Sequence, residues 1–238
     1  MQKMRARAGF VGCQALGAQR SHRTAATCRR TRWKMKIDRE EVKSKTALLN
    51  VYSIADKEGY PVLQQMFNEA TIGSLYFLSC RQAMLVLKDL KESGASFADG
   101  AQVAVIPFHI AYDNVVADPI ETEDRDEKGR IVSIIFRFVP DFSELGEAKR
   151  MLEEQGQSLD SIPEVPVFFK DVKNAEAKTL FISHQDCDGY FEEGFAELPR
   201  LLGDLSTFLE SGERVTVIPS TENMEYVNSI FDKAGFNQ

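Results

Sequence analysis

Few side chains in this sequence could do chemistry. Beyond the basic N-terminal stretch stand two cysteines, Cys80 and Cys187, and two histidines, His109 and His184. A cysteine attacks as its thiolate, so it needs a cation, a base or a helix N-terminus close by to lower its pKa. His109 follows a predicted strand end and His184 lies in the first turn of a predicted helix. Neither has a sequence neighbour that marks it as a catalytic base, and a structural or surface role is the simpler assignment. The two cysteines lack metal-type spacing and form no disulfide framework, so they are read as unrelated thiols, with a redox pair as the alternative. The segment HQDCDG at 184–189 sets carboxylates beside a glycine, as a calcium loop does. Its register fails: with Gly189 as the turn glycine, the first ligand position is His184 and the bidentate position is Phe195. Asp186 and Asp188 fit better as carboxylates complementing a helix dipole. There is no phosphate-binding glycine loop, no Gly-x-Ser-x-Gly elbow and no paired-histidine metalloprotease helix. No catalytic, cofactor or metal residue is assigned, and the chain is read as non-enzymatic. A thiol enzyme using a cleft between two halves is the rival.

Phenylalanine is abundant instead, with fifteen of sixteen beyond the leader. Phe136 and Phe138, Phe168 and Phe169, and Phe191 and Phe195 form close pairs. These six either fill a core or line an open apolar groove for a greasy ligand or an extended polypeptide. They are the candidate polypeptide-binding residues.

Charge is divided sharply along the chain. Residues 1–36 carry ten basic side chains and no acid, and the first carboxylate is Asp38. The remainder holds 19 basic and 36 acidic residues, a net of −17. A basic, acid-free leader on an acidic body matches a targeting presequence; a basic arm for nucleic acid or anionic lipid is the alternative. An acidic body repels phosphate backbones, so nucleic acid is not an expected partner. No segment approaches the ~20 apolar residues of a membrane span, so membrane contact is peripheral at most. The expected divisions are 1–42 as a disordered transit peptide, 43–158 as a first α/β half with a linking strand and helix, and 159–238 as a second half.

The elements that must position these residues repeat. YPVL at 60–63 and YFLS at 76–79 precede a Ser79-x-x-Gln82 helix start, an ESG stop at 92–94 and the strand VAVIP at 103–107. VPVF at 165–168 and LFIS at 180–183 precede Ser183-x-x-Asp186, an ESG stop at 210–212 and VTVIP at 215–219. Each Ser-x-x-(Gln/Asp) is close to a capping box. The second helical region has Phe191, Phe195, Leu198, Leu202, Leu205 and Leu209 on one stripe, broken near Pro199 and Gly203. The expected fold is therefore mixed α/β, as two pseudo-symmetric β-β-α-β halves from an internal duplication, with a mixed sheet flanked by helices. Between them, 121–130 reads as an exposed acidic hairpin loop. IVSIIFRFVP at 131–140 reads as a strand with Ile134, Phe136 and Phe138 on one side, followed by a helix capped near Asp141 or Ser143 and ended at Gly156.

Phe136-Arg137-Phe138-Val139-Pro140-Asp141, Val165-Pro166-Val167-Phe168 and Ser183-His184-Gln185-Asp186 resemble, in order and spacing, the twenty-two-kilodalton subunit family of the Tic protein translocon at the chloroplast inner envelope. The resemblance spans roughly residues 48–230. It implies two pseudo-symmetric α/β halves, a plastid location in the envelope intermembrane space, and chaperone-like contact with preproteins in transit. Preproteins, transit peptides and envelope translocon subunits are the implied partners. Stroma or mitochondrion is the alternative location, and a purely structural translocon subunit is a further alternative function. The first half matches more loosely, with YPVL where the second half has VPVF.

Overall fold

A computed structural model describes residues 38–65, 70–94, 98–172, 175–190 and 198–233. The first carboxylate of the chain starts the first helix. Asp38 is the N-cap of α1 (Arg39–Lys45), its side chain accepting from the Glu40 amide at 3.1 Å. The boundary expected after residue 42 therefore falls inside this helix. Strand β1 (Asn50–Ala55) comes next, with five of its six residues buried. The expected first strand at 60–63 does not form; only an isolated bridge joins Pro61 to Ala55. The chain continues through β2 (Gln64–Gln65), β3 (Thr71–Phe77), α2 (Cys80–Glu92), β4 (Gln102–Pro107), α3 (Phe108–Val116), β5 (Ile120–Arg125), β6 (Ile131–Val139) and α4 (Phe142–Glu154). These strands form one sheet in the order β4-β1-β3-β6-β5, with β2 beside β3. Strand β1 is antiparallel to β3 and β4, whereas β3 and β6 are parallel.

The acidic run is half strand and half turn. Residues 121–125 belong to β5, which pairs antiparallel with β6. The turn is Asp126–Arg130: the Asp126 carboxylate accepts from the amides of Lys128 and Arg130 at 3.0 and 2.8 Å. Gly129 sits at φ +76°, where a side chain is strained. Asp56–Tyr60 repeats this turn with the same carboxylate contacts.

The second sheet is built from β7 (Pro166–Lys170), β8 (Lys178–Phe181), β9 (Arg200–Asp204) and β10 (Val215–Ile218), in the order β10-β8-β7-β9. Helices α5 (His184–Tyr190), α6 (Leu205–Glu210) and α7 (Thr221–Lys233) complete it. The expected leucine stripe is not one helical region. Leu202 lies in β9, while Leu205 and Leu209 lie buried in α6. Gly203 leaves room for the Phe208 ring of α6 to lie against β9: a Cβ there would clash with that ring.

The two sheets share a strand order. Reading β1, β3, β4 and β6 against β7, β8, β9 and β10, the spatial orders β4-β1-β3-β6 and β9-β7-β8-β10 are the same. In both, the fourth strand is parallel to the second and the third is antiparallel to the first. Each half is thus one strand longer than a β-β-α-β unit. VAVIP and VTVIP do not correspond. The first is β4, an antiparallel edge strand, and the second contains β10, the parallel partner of β8. The likeness lies in topology, and the pentapeptide echo does not follow it.

Packing ties the halves together. One cluster takes in the inner faces of both sheets and the helices α1, α3 and α6, from Val51, Tyr76 and Phe138 to Val167, Leu180 and Val217. The final helix of each half then covers the outer face of the other sheet. Tyr226 and Val227 of α7 pack on Tyr52, Phe77 and Ala83 of the first half. Met151 of α4 packs with Phe168, Phe181 and Cys187 of the second. The helix starts meet accordingly. Asn223 accepts from the Cys80 amide at 2.9 Å and donates to the Leu78 carbonyl at 2.6 Å. Glu144 accepts from the His184 amide at 3.0 Å. Asp186 accepts from the Thr221 amide at 3.0 Å. So the capping boxes are only half realised: Ser79 and Ser183 accept from the amides three residues on, but Asp186 reaches across to α7 instead of back. The Gln82 side chain is buried and has no hydrogen-bond partner among the described residues.

Candidate polypeptide-binding surface

The structure sorts the six phenylalanines. Phe138 is buried and stacks on Phe108, centroids 4.8 Å apart and nearly parallel. Phe136 is half-buried beside it and stacks on Tyr76 at 5.7 Å. Phe168 is fully buried beneath α4 and α5, with the His184 ring edge-on to it, and Phe169 is buried on the opposite face against Phe208. These rings belong to two separate cores, on opposite faces of β7, and line no common groove. The reason is alternation: adjacent residues on a strand point to opposite faces, so a Phe-Phe dipeptide in a sheet covered on both sides is buried twice. Phe191 and Phe195 lie outside the described residues.

The candidate nucleophiles are also internal. Cys80 and Cys187 are free and buried. Burial first, then the Glu222 carboxylate, pushes the Cys80 thiol up to about 11; burial, then Asp188, does the same for Cys187. Both stay protonated at neutral pH, the opposite of what a thiolate nucleophile needs. His184 Nδ1 lies 2.8 Å from the same Glu144 oxygen that accepts from its backbone amide, so the imidazole helps pin α4 to α5. His109 makes no side-chain hydrogen bond among the described residues. Among those residues, no three potential ligands gather to hold a metal, and no helix is long and apolar enough to cross a membrane.

Exposed large apolar side chains are spread over the described surface, with Phe142, Tyr60, Leu48 and Tyr190 the most exposed; four of them, Met84, Leu85, Met224 and Phe231, lie together on the two helices over the first sheet. On α7, Tyr226 and Val227 face inward while Met224 and Phe231, 40% and 46% exposed, face solvent. Seven residues apart, they share one face of the helix. Glu225 and Asp232, each one residue further on, lie exposed alongside. On the neighbouring α2, Met84 and Leu85 are 41% and 53% exposed. Met84, Leu87, Lys88, Lys91 and Glu92 line a shallow depression of about 430 Å³. None of these residues is among the sequence candidates. The signal for α7 was present: apolar residues at 224, 226, 227, 230 and 231 recur at helical spacing after Ser220 and Thr221. What sequence does not show is which stripe faces the sheet.

Charge networks elsewhere serve architecture. Arg200 of β9 pairs with Glu147 of α4 and Asp188 of α5, bracing both helices over the second sheet. The Arg150 hydrogen bond, with the charges of Arg200 and Arg150, holds the Glu147 carboxyl below its ordinary value against the effect of burial. Buried Lys45 of α1 donates to the carbonyls of Phe208, Leu209 and Ser211, capping the C-terminus of α6.

Comparison with known proteins agrees with this architecture. Tic22 from Anabaena, a protein-transport protein, superposes with a TM-score of 0.61 at 18% identity, covering 80% of this chain and 96% of that one. Tic22 from Plasmodium falciparum superposes at 0.60 with 13% identity, covering 79% and 96%. No curated protein sequence matches the chain. The Tic22-like family model matches residues 10–192, reaching into the basic leader and ending before β9. With more than half of its length matched, the chain belongs to the Tic22-like family.

Proposed function

We propose that this protein assists plastid protein import by transient, chaperone-like binding of preproteins in the envelope intermembrane space, without catalysis. The observation that carries this reading is the outward face of α7, where Met224 and Phe231 stand exposed beside Glu225 and Asp232. A basic amphipathic presequence complements such a face: its apolar stripe covers Met224 and Phe231 while its cations meet the carboxylates. Apolar contact supplies affinity, and the acidic body, at −17 beyond residue 36, speeds encounter. Family membership supports the translocon setting, and the basic leader supports plastid targeting.

A labelled presequence peptide tests this directly. Binding weakens as salt rises from low to physiological ionic strength, because exposed charges are screened over ~8–10 Å. Glu225→Lys with Asp232→Lys reduces affinity roughly tenfold, about 1.4 kcal/mol. Binding that ignores both salt and these substitutions removes α7 from the function. Protease access in intact, outer-permeabilised and lysed plastids checks the compartment.

A further inference from the structure

We propose that the outer edge of β4 is a β-augmentation site that takes an uncharged, extended segment of a client polypeptide as an added strand. The inference rests on the reading that this protein holds unfolded polypeptide. It concerns a different surface and different chemistry: backbone hydrogen bonds rather than the amphipathic face of α7.

Register identifies the free groups. The Phe108 amide donates to the Leu49 carbonyl at 2.9 Å, so these two residues form a hydrogen-bonded pair. Antiparallel pairing alternates, so the pairs Ile106↔Val51, Ala104↔Ser53 and Gln102↔Ala55 also bond toward β1. Val103 and Val105 must then turn their N–H and C=O groups outward. Pro107 falls in the same outward set, where a missing N–H costs the ladder nothing. Strand β4 ends the sheet, and among the described residues nothing pairs with these outward groups.

The other edges are more heavily protected than this one. Strand β5 carries Glu121, Glu123, Asp124 and Arg125, and its register with β6 is interrupted. Strand β9 lies between Arg200 and Asp204, whose side chains are engaged by Glu147 and Asp188 and by the amides of Glu164 and Ser206. Strand β10 has only four residues, and α1 packs near it. Strand β4 has six residues, and no charged side chain occurs from Ala101 to Tyr112. Of the ordinary defences of a sheet edge, β4 has only a proline, Pro107 at its last position; it carries no charge and no bulge, and it is not short.

The chemistry of the edge names its occupant. Two donors, from Val103 and Val105, and three acceptors, from Val103, Val105 and Pro107, stand at strand spacing and can take an extended backbone, as in strand addition to other sheet edges. The absence of charge gives nothing to recognise an ionic group. Val103 and Val105 side chains join the cluster that also holds Tyr226 and Val227 of α7, so the edge borders the same helix layer. A second copy of this chain would need roughly 20–30 residues on each side for a stable interface, and six residues of edge fall far short. A transient client segment of about four to six residues fits, at ~3.4 Å of strand per residue.

Amide hydrogen exchange of the full chain tests the site. The probe is a Thr-Val repeat of six residues flanked by lysines, compared with the same peptide N-methylated at alternate residues. The unmodified peptide slows exchange at Val103 and Val105 at least tenfold, and the methylated peptide does not. Val105→Pro removes an outward donor without touching the β1 ladder. It weakens binding at least tenfold while Ala104 and Ile106 stay protected. Binding without slowing at Val103 and Val105, or equal binding of the methylated peptide, overturns the site. Slowing at these amides that grows with protein concentration alone overturns the client assignment in favour of a second copy. A presequence peptide is run in parallel. If it binds while the edge amides are unchanged by the Thr-Val peptide, the edge fails and the proposed function stands. If the edge is protected but the presequence does not bind, the proposed function fails and the edge stands. Failure of both peptides overturns both.

Discussion

The junction between α7 and the first sheet and the junction between α4 and the second do the same work with different atoms. At the first, Asn223 is fully enclosed and serves two backbone groups at once, the Cys80 amide and the Leu78 carbonyl. At the second, Glu144 serves the His184 amide and the His184 imidazole, which is 22% exposed at its side chain. A neutral amide with both donor and acceptor suits the buried junction, because burying an unpaired charge there is costly. A carboxylate is tolerated where a partner ring reaches water. In both cases the side chain of the third residue of a helix in one half, Asn223 of α7 or Glu144 of α4, caps a helix of the other. The halves are therefore locked by exchanged helices, not merely pressed face to face.

If that holds, damage to either core must be felt by both. Phe168→Ala and Phe77→Ala each empty a fully enclosed ring site and should cost about 3–5 kcal/mol. Thermal unfolding followed by circular dichroism should remain one transition in each variant. Two separated transitions would show that the halves melt independently. Asn223→Ala leaves two buried backbone groups unpaired at ~1–3 kcal/mol each, so a loss of about 2–6 kcal/mol is expected. Glu144→Ala should cost less, about 1–3 kcal/mol, because the freed imidazole finds water. Denaturant titrations that reverse this ranking would remove the distinction between the junctions.

Lys45 offers a third link, from α1 to the end of α6. Lys45→Met keeps most of the buried stem but loses hydrogen bonds to three carbonyls, for about 1.5–3 kcal/mol. Hydrogen exchange in residues 205–211 should rise more than in β1. Uniform change would make α1 a passive cover.

The smallest effect expected is on pH dependence. Burial raises the Asp141 carboxyl, but hydrogen bonds from Ser143, Ser79 and the amides of Ser143 and Glu144 outweigh it and leave the pKa below its ordinary value. A depressed folded-state pKa means stability present above the unfolded value, ~3.9, and lost as pH falls through the folded one. Asp141→Asn keeps an N-cap acceptor, so stability at pH 7 should change by less than ~1 kcal/mol. Its acid limb below about pH 4 should be shallower than the parent's. An unchanged limb would assign acid sensitivity to other carboxylates.

The parts of the fold legible in sequence are those coded over a few neighbouring residues. Ser79 and Asp141 announce helix starts, Gly156 at φ +65° ends α4, and the alternation of Ile134, Phe136 and Phe138 marks one face of β6. Strand β1 leaves no such signal, because it is buried on both faces and has no alternation to read. Strand β9 reads in sequence as a break in a helix, since Pro199 and Gly203 punctuate either structure. The phenylalanine pairs were visible, but only the second cover on each sheet makes them core.

Sequence alone is enough for the mixed α/β class, the basic leader against an acidic body, the caps and the family, because each rests on composition or on spacings within one element or motif run. The assembly depends on contacts between residues more than a hundred positions apart, such as Asn223 with Cys80 and Lys45 with Leu209. Which strand lies at an open edge, which helix stripe faces solvent, and which strands of the two sheets correspond all follow from such contacts. They are settled when whole surfaces are buried together, and five residues of strand-forming sequence carry no record of their neighbour across the sheet.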